Sequence, residues 1–421
     1  MLEKKATHVT LTEFYMGVIC LFPLATTLVE EGIINKLLFS LLIGLQLAML
    51  FDRKVKGRTF MMLLLLIVSY IYSFAHTKFP LRNSNLLFYF PFYMVYTYFM
   101  CDNSRPVITW FMNRKKYVFG LTVIWTIIVG FSIFLPECYY VKEGGARYFA
   151  SFAGSIFRLG PAAVFIQVMA ILMQILYGYR KALWFQLVPM YSYFMGSSRT
   201  YLIVGLCLLL VSWYFFCQNK KKFYYSLIPM AIGVVLLISV TSMGDKIAHT
   251  LDEEAYGDFW FKITSSRSKI WDYTLRYWRL RVSPLSKFLG ASLNFNYEIT
   301  GLWAHNDFVE LLGSFGILGI GQYLCSIYIL FKTKTKQERM PFVVGFALLL
   351  VWLFNAFFNM HYTYFCAMLC YPLVVLGIKH YCAENSRASA EIKKKAEAEK
   401  AEKPATLITE GVMAKRSDRH F

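Results

Sequence analysis

The sequence predicts an all-α, polytopic integral membrane protein with about 12 transmembrane helices and one long extracytoplasmic loop between the ninth and tenth. Three observations predict this class. Of the 421 residues, 57% are hydrophobic and only 16% charged, whereas a soluble domain carries about 25% charged residues. Apolar runs long enough to cross a bilayer recur along most of the chain. Basic clusters occupy every second connection between those runs, which is the signature of cytoplasmic loops.

The runs lie near 12–30, 33–51, 59–76, 83–101, 116–136, 159–177, 182–197, 200–217, 224–242, 307–331, 341–358 and 362–380. Lys4 and Lys5 precede the first, and the N-terminal stretch lacks a small-residue cleavage site, so it reads as a retained span. Arg53, Lys54, Lys56 and Arg58 follow the second run; Arg105, Arg114, Lys115 and Lys116 the fourth; Arg180 and Lys181 the sixth. Lys220, Lys221 and Lys222 follow the eighth, and Lys332, Lys334, Lys336 and Arg339 the tenth. The alternate connections hold Glu30 and Glu31, or the bare Asn359-Met360-His361. This pattern predicts both termini in the cytoplasm. Residues 1–380 then form the membrane domain, with its outer loop at about 243–304. Residues 381–421 form a cytoplasmic charged tail, too poor in large apolar side chains to bury a core, hence disordered or a loose helix.

The net charge of +19 lies in small clusters instead of one stripe, which argues against nucleic acid and for topology signals and anionic lipid. Nine cysteines are scattered. Cys366 and Cys370 share a helix face without an accompanying His or Cys pair, so no metal site is expected. No phosphate loop, dinucleotide fingerprint or nucleophile elbow is present.

The long outer loop contains a helical stretch beginning at Ser265-Ser266-Arg267, with either serine as cap. Trp271, Leu275, Trp278 and Val282 fall at helical spacing on one face, and Asp272 can pair with Arg276. A smaller outer loop, about 137–158, carries Arg147 and Arg158. Charged groups near membrane depth are costly and suggest function. Arg199 lies between two spans in Gly196-Ser197-Ser198-Arg199-Thr200. Cations at helix ends commonly snorkel to headgroups, but outer ends are the less favoured place for them. Arg267 opens the loop helix, where a lone Arg is ordinarily just solvated. His305 stands where the loop re-enters the membrane, and a neutral imidazole there could accept a proton from a hydroxyl. Asn306 and Glu310 follow it at i,i+4 on one face; Glu310, one turn into an apolar run, needs an Arg or His partner or a polar cavity. Gly313, Gly316, Gly319 and Gly321 thin the same span, which predicts close helix packing.

The order of five segments adds a further expectation. They are Ser198-Arg199, Ser266-Arg267 with Trp271, Phe288-Leu289-Gly290, Ala304-His305-Asn306 and Gly316-Ile317-Leu318-Gly319. Together, over about residues 195–325, they resemble the O-antigen ligase and polymerase superfamily of bacterial membrane proteins. One departure is Gly290-Ala291-Ser292, where relatives often carry Gly-x-Gly. The resemblance implies a metal-independent glycosyltransferase in the bacterial cytoplasmic membrane, with no cofactor and an extracytoplasmic active site. Its partners would be an undecaprenyl-diphosphate-linked glycan as donor, a saccharide acceptor and membrane lipid, with a chain-length regulator as an optional further partner and no nucleic acid. Arg199 and Arg267 would hold the diphosphate leaving group, and His305 would orient or deprotonate the acceptor hydroxyl. Arg158, Arg147, Asn306 and Glu310 would add to substrate binding. The leading reading is a repeat-unit polymerase; the alternative is a ligase that transfers the glycan to lipid A-core or another surface acceptor. A transporter would place charge along the middle of several spans, whereas here the charge gathers at the outer edge.

Overall fold

Caps and helix breakers decide where the apolar runs become helices. The computed structural model describes residues 10–29, 33–52, 57–78, 86–141, 147–217, 219–241, 243–244, 247, 264, 267–358 and 365–402. In chain order the helices are α1 (Leu11–Leu28), α2 (Ile33–Asp52), α3 (Gly57–Ala75), α4 (Leu86–Asp102), α5 (Ser104–Asn113) and α6 (Lys115–Ser132). Then come α7 (Ile156–Tyr177), α8 (Leu187–Met195), α9 (Arg199–Phe216), α10 (Lys220–Ser239), α11 (Arg267–Arg281), α12 (Pro284–Leu289) and α13 (Phe295–Thr300). The last are α14 (Asp307–Phe331), α15 (Phe342–Phe358) and α16 (Phe365–Glu402). An antiparallel pair of three-residue strands, β1 (Tyr139–Val141) and β2 (Arg147–Phe149), is the sheet among the described residues. Among the described residues, seven helices are long and apolar enough to cross a membrane, and shorter apolar helices accompany them. The protein is therefore all-α with the helices of a membrane protein. Lys4, Lys5, Glu30, Glu31, Arg53, Lys54, Lys56, Ser265, Ser266 and Asn359-Met360-His361, which the sequence analysis used, lie outside the described residues.

The chain forms two units, Met1–Lys332 with Pro341–Ile378, and Thr333–Met340 with Lys379–Phe421. At the centre of the first lies α7, buried along nearly its whole length. Gly160 of α7 packs on the Tyr201 ring, Gln167 donates to the Gly205 carbonyl (3.3 Å), and Ser212 donates to Gln174 (2.7 Å). Residue numbers rise together, so α7 and α9 run parallel. The chain returns between them. Gln174 donates to the Arg180 carbonyl (3.4 Å), Gln186 to the Gln167 carbonyl (3.2 Å), and Tyr193 to Gln167 Oε1 (3.0 Å). The sequence predicts one apolar span at 182–197, yet α8 has only nine residues. The return is a composite of the 3-10 helix Arg180–Gln186 and α8. At about 2.0 and 1.5 Å per residue the pair covers about 27 Å.

Other contacts fix a common end. Tyr117 donates to the Gly17 carbonyl (3.0 Å) and Trp125 to Thr27 (2.9 Å), so α1 and α6 are also parallel. Ser132, the last residue of α6, hydrogen-bonds Ser151 just before α7 begins (2.6 Å). Thr26, near the end of α1, meets Cys366 at the start of α16 (3.5 Å). The ends of α1 and α6 and the starts of α7, α9 and α16 therefore share one end of the unit. The β-hairpin lies there too, with Tyr139 bonded to Tyr191 of α8 (2.8 Å) and the Phe149 ring against it.

The expected straight span at 307–331 is broken. Gly316 has φ +66° and ψ −164°, a conformation essentially confined to glycine. Asp307 and Tyr323 would lie about 24 Å apart along a straight helix, but the Tyr323 hydroxyl donates to Asp307 Oδ2 at 2.5 Å. The two halves therefore fold back toward each other. A helix break exposes carbonyls that lipid cannot satisfy. Here Ser73 donates to the Ser314 carbonyl (2.5 Å), and Ser69 sits against the carbonyls of Phe315 (3.1 Å) and Leu289. These serines lie one turn apart on α3. Leaving a buried carbonyl unpaired costs about 1–3 kcal/mol, so Ser73→Ala should lower the thermal unfolding midpoint of the detergent-solubilised protein. An unchanged midpoint would show that the break holds without this hydroxyl.

Close packing accounts for only part of the glycine pattern. Gly313 packs on the Phe295 ring and Gly319 against Phe315, whereas Gly321 has open space. The stripe expected on α11 also shifts. Leu275 is 42% exposed while Thr274 is 1% exposed, because the inward face centres between Trp271 and Trp278. In the second unit α16 continues as a helix through Glu402, exposed from Glu384 to Lys395, with Lys393 3.9 Å from Glu397. The tail expected to be disordered or loosely helical is thus helical as far as it is described.

Candidate functional site

Arg158, Arg199 and Arg267 all lie in the first turns of helices, α7, α9 and α11 respectively. A helix N-terminus carries partial positive charge and favours anions. Three arginines placed there act against the dipole. Arg158 and Arg199 each precede by two residues the Gly160–Tyr201 contact between parallel helices, so both lie at the common end. Both are half-buried. The turn before Arg199 carries its own strain, since Ser197 has φ +50°. Arg147 is exposed on the β-hairpin, paired in register with Val141.

Arg267 reaches this end by another route. Its guanidinium donates to the carbonyl of Phe358, the last residue of α15. Only six residues separate Phe358 from α16, whose start belongs to the common end. α14 begins there as well, where the Phe308 ring meets the Phe357 ring at 5.0 Å.

His305 sits one residue before the N-cap of α14 and has φ +50°, a strained value for a side chain with Cβ. The backbone around it is held from several sides. Trp271 Nε1 donates to the Ala304 carbonyl (2.6 Å), and the Ala304 N–H donates to Glu310 Oε1 (2.6 Å). Asn306 caps α14 by accepting from the N–H groups of Phe308 (3.0 Å) and Val309 (3.1 Å). Among the described residues nothing hydrogen-bonds the His305 imidazole itself. Burial, together with the nearby Arg267 cation, brings its pKa down to about 4. At neutral pH the ring is therefore uncharged and able to accept a proton.

Glu310 is 2% exposed. Its second oxygen accepts from Asn296 of α13 (2.7 Å), so both oxygens have protein donors. The structure thus sets Arg267 near His305, places Arg158 and Arg199 at the same end of the unit, and turns Asn306 and Glu310 toward the backbone that carries His305. Sequence reasoning passed over Asp307, a fully buried carboxylate bound by Tyr323, which in turn accepts from Trp352 (3.0 Å). Its signal was present in the sequence, a carboxylate directly after the Ala304-His305-Asn306 triplet. The segments Phe288-Leu289-Gly290 and Gly316 also meet, since a Cβ on Gly316 would strike the Phe288 carbonyl.

No family model matches the chain, and no curated protein matches it.

Proposed function

We propose that this protein is a polysaccharide repeat-unit polymerase, transferring a glycan from undecaprenyl diphosphate to a hydroxyl of another lipid-linked saccharide at the outer face of the bacterial cytoplasmic membrane. The observation that carries the reading is the placement of arginines in the first turns of three helices, with a neutral imidazole beside one of them. Helix N-termini and guanidinium groups together suit a diphosphate, and Arg binds it through two parallel hydrogen bonds. As the glycosidic bond to the diphosphate breaks, negative charge grows on the leaving group, and fixed cations stabilise it. His305 takes the proton of the attacking hydroxyl. Direct attack in one step inverts the anomeric centre; a product that keeps the donor configuration would remove this mechanism.

The proposal includes about 12 membrane crossings, cytoplasmic termini and an outer loop at about 243–304. Supporting it, Arg114, Lys115 and Lys116 at the start of α6, Arg180 and Lys181 after α7, and Lys220, Lys221 and Lys222 at the start of α10 lie at the helix ends opposite Arg158 and Arg199. The ligase alternative shares the same residues. A deletion strain separates the two: loss of a polymerase leaves single repeats on the surface, and loss of a ligase leaves long chains on the lipid carrier.

The direct test uses the purified full-length protein with lipid-linked repeats and a gel readout of chain length. No extension under any condition would sink the polymerase reading. Arg199→Lys and Arg267→Lys keep the charge but lose the planar fork. Each is expected to slow extension by about 10- to 100-fold, less than the loss of about 10²- to 10³-fold seen when one charge-stabilising donor is removed outright. Wild-type rates in both would mean that charge alone suffices.

A further inference from the structure

We infer that Glu310 is a positioning residue that never touches substrate, and that its carboxylate sets the orientation of His305 by gripping the Ala304 backbone. Four observations support this. The side chain is enclosed, and each oxygen already accepts a hydrogen bond, from the Ala304 N–H (2.6 Å) and from Asn296 Nδ2 (2.7 Å). Asn296 is itself fully buried and comes from α13, which is pressed on the same half-helix through the Phe295–Gly313 contact. On the far side of the same residue, Trp271 of α11 donates to the Ala304 carbonyl (2.6 Å). Both backbone polar groups of Ala304 are thus held, one by the half-helix and one by the loop helix, and the next residue is the strained His305 (φ +50°). A non-glycine residue stays in such a conformation only where its surroundings over-determine it.

Why a carboxylate does this follows from its acceptors. When ionised it is acceptor-only, with a bite that serves two donors at once. Glutamine can imitate it here in one way. Gln Oε1 accepts from Ala304, and the Gln amide donates to Asn296 Oδ1 after the Asn296 amide turns over. Asn296 Oδ1 is a buried oxygen with no hydrogen-bond partner among the described residues. Aspartate keeps the charge but is one methylene too short to reach both donors.

The experiment titrates the imidazole in full-length, histidine-labelled protein by NMR, with the His305 resonance identified by its loss in His305→Ala. The charged group acting on His305 is Arg267. In the wild type the resonance is expected to titrate near pH 4, as the burial of the ring and Arg267 dictate. In Glu310→Ala and Glu310→Asp the released turn admits water, and the titration is expected to move up toward the ordinary 6.5. Simple loss of a negative charge would move it down, so the sign separates positioning from electrostatics. Glu310→Gln, which keeps the turn closed, is expected to titrate no higher than wild type. Wild-type titration in both Glu310→Asp and Glu310→Ala overturns the proposal; if the alanine variant does not fold, the aspartate variant decides alone.

The rate of glycan extension, measured in parallel, rests on the proposed function and the titration does not. A loss of at least about tenfold in the alanine variant, restored in the glutamine variant, is expected for a group that orients a general base. A shifted titration with an unchanged rate keeps Glu310 as the positioning residue and removes His305 from the reaction.

Discussion

Replacing His305 by Ala is expected to cut the rate of glycan extension by about 10²- to 10⁴-fold, the usual contribution of a positioned proton acceptor. The folded protein should survive the change, because the imidazole makes no hydrogen bond among the described residues and the turn is held through the backbone of Ala304 and the cap of Asn306. Alanine keeps the Cβ and with it the strain of φ +50°, so the substitution removes the ring and little else. Unaltered chain lengths from a stably folded variant would take His305 out of the mechanism. The pH profile gives a second reading of the same group. Burial and Arg267 hold the imidazole pKa at about 4 against an ordinary 6.5. The neutral, proton-accepting form therefore persists well below neutral pH, and kcat/KM is expected to stay flat down to about pH 5 and then fall. An inflection at 6.5 would mean that the reacting base is an exposed group. Stability follows the same sign. Between 6.5 and about 4 the unfolded histidine binds a proton that the folded one does not, so folding loses stability as the pH falls through this window.

How much of this was legible in the sequence depended on which physical signal carried it. Apolar run length located the long helices, because backbone that crosses lipid must satisfy its own hydrogen bonds. It could not show that 182–197 returns as a 3-10 helix plus a nine-residue helix, since both conformations bury the same apolar side chains. The glycines at 313, 316, 319 and 321 read as one packing stripe. Only tertiary contact separates them: Ser69 and Ser73, more than two hundred residues earlier, make a break at Gly316 tolerable. Glu310 was legible as a carboxylate that needed a cation or a polar cavity, and an N–H with an amide supply its polar surroundings. Donors from loop backbone and from Asn296 leave no charge pattern in the sequence. The short hairpin of β1 and β2 was hidden for the same kind of reason, since three residues per strand are too few for an alternation to register.

Gly316→Ala is expected to be the most damaging single-methyl change in the protein. At φ +66° and ψ −164° the backbone sits in a region closed to residues with Cβ, which costs about 1–3 kcal/mol. The added methyl would also strike the Phe288 carbonyl and the Gly290 backbone nitrogen. Main chain cannot swing aside as a side chain can, so overpacking adds about 1–3 kcal/mol. Together these come to about 2–6 kcal/mol, against about 5–15 kcal/mol for the whole stability of a typical domain. The chain can escape the strain only by straightening α14. That would carry Asp307 away from Tyr323, strip the carbonyls of Ser314 and Phe315 from Ser73 and Ser69, and displace the Asn306 cap with His305 beside it. Full-length Gly316→Ala should therefore accumulate poorly in the membrane and unfold at a distinctly lower temperature in detergent. Gly321→Ala, five residues along the same helix, meets nothing within 4 Å, and the gain in helix propensity makes it neutral or slightly stabilising, by up to about 1 kcal/mol. The pair controls for helix propensity and for position in the bilayer. If both variants fold and melt alike, α14 is a continuous helix, and the fold-back that sets His305 beside Arg267 has to be abandoned.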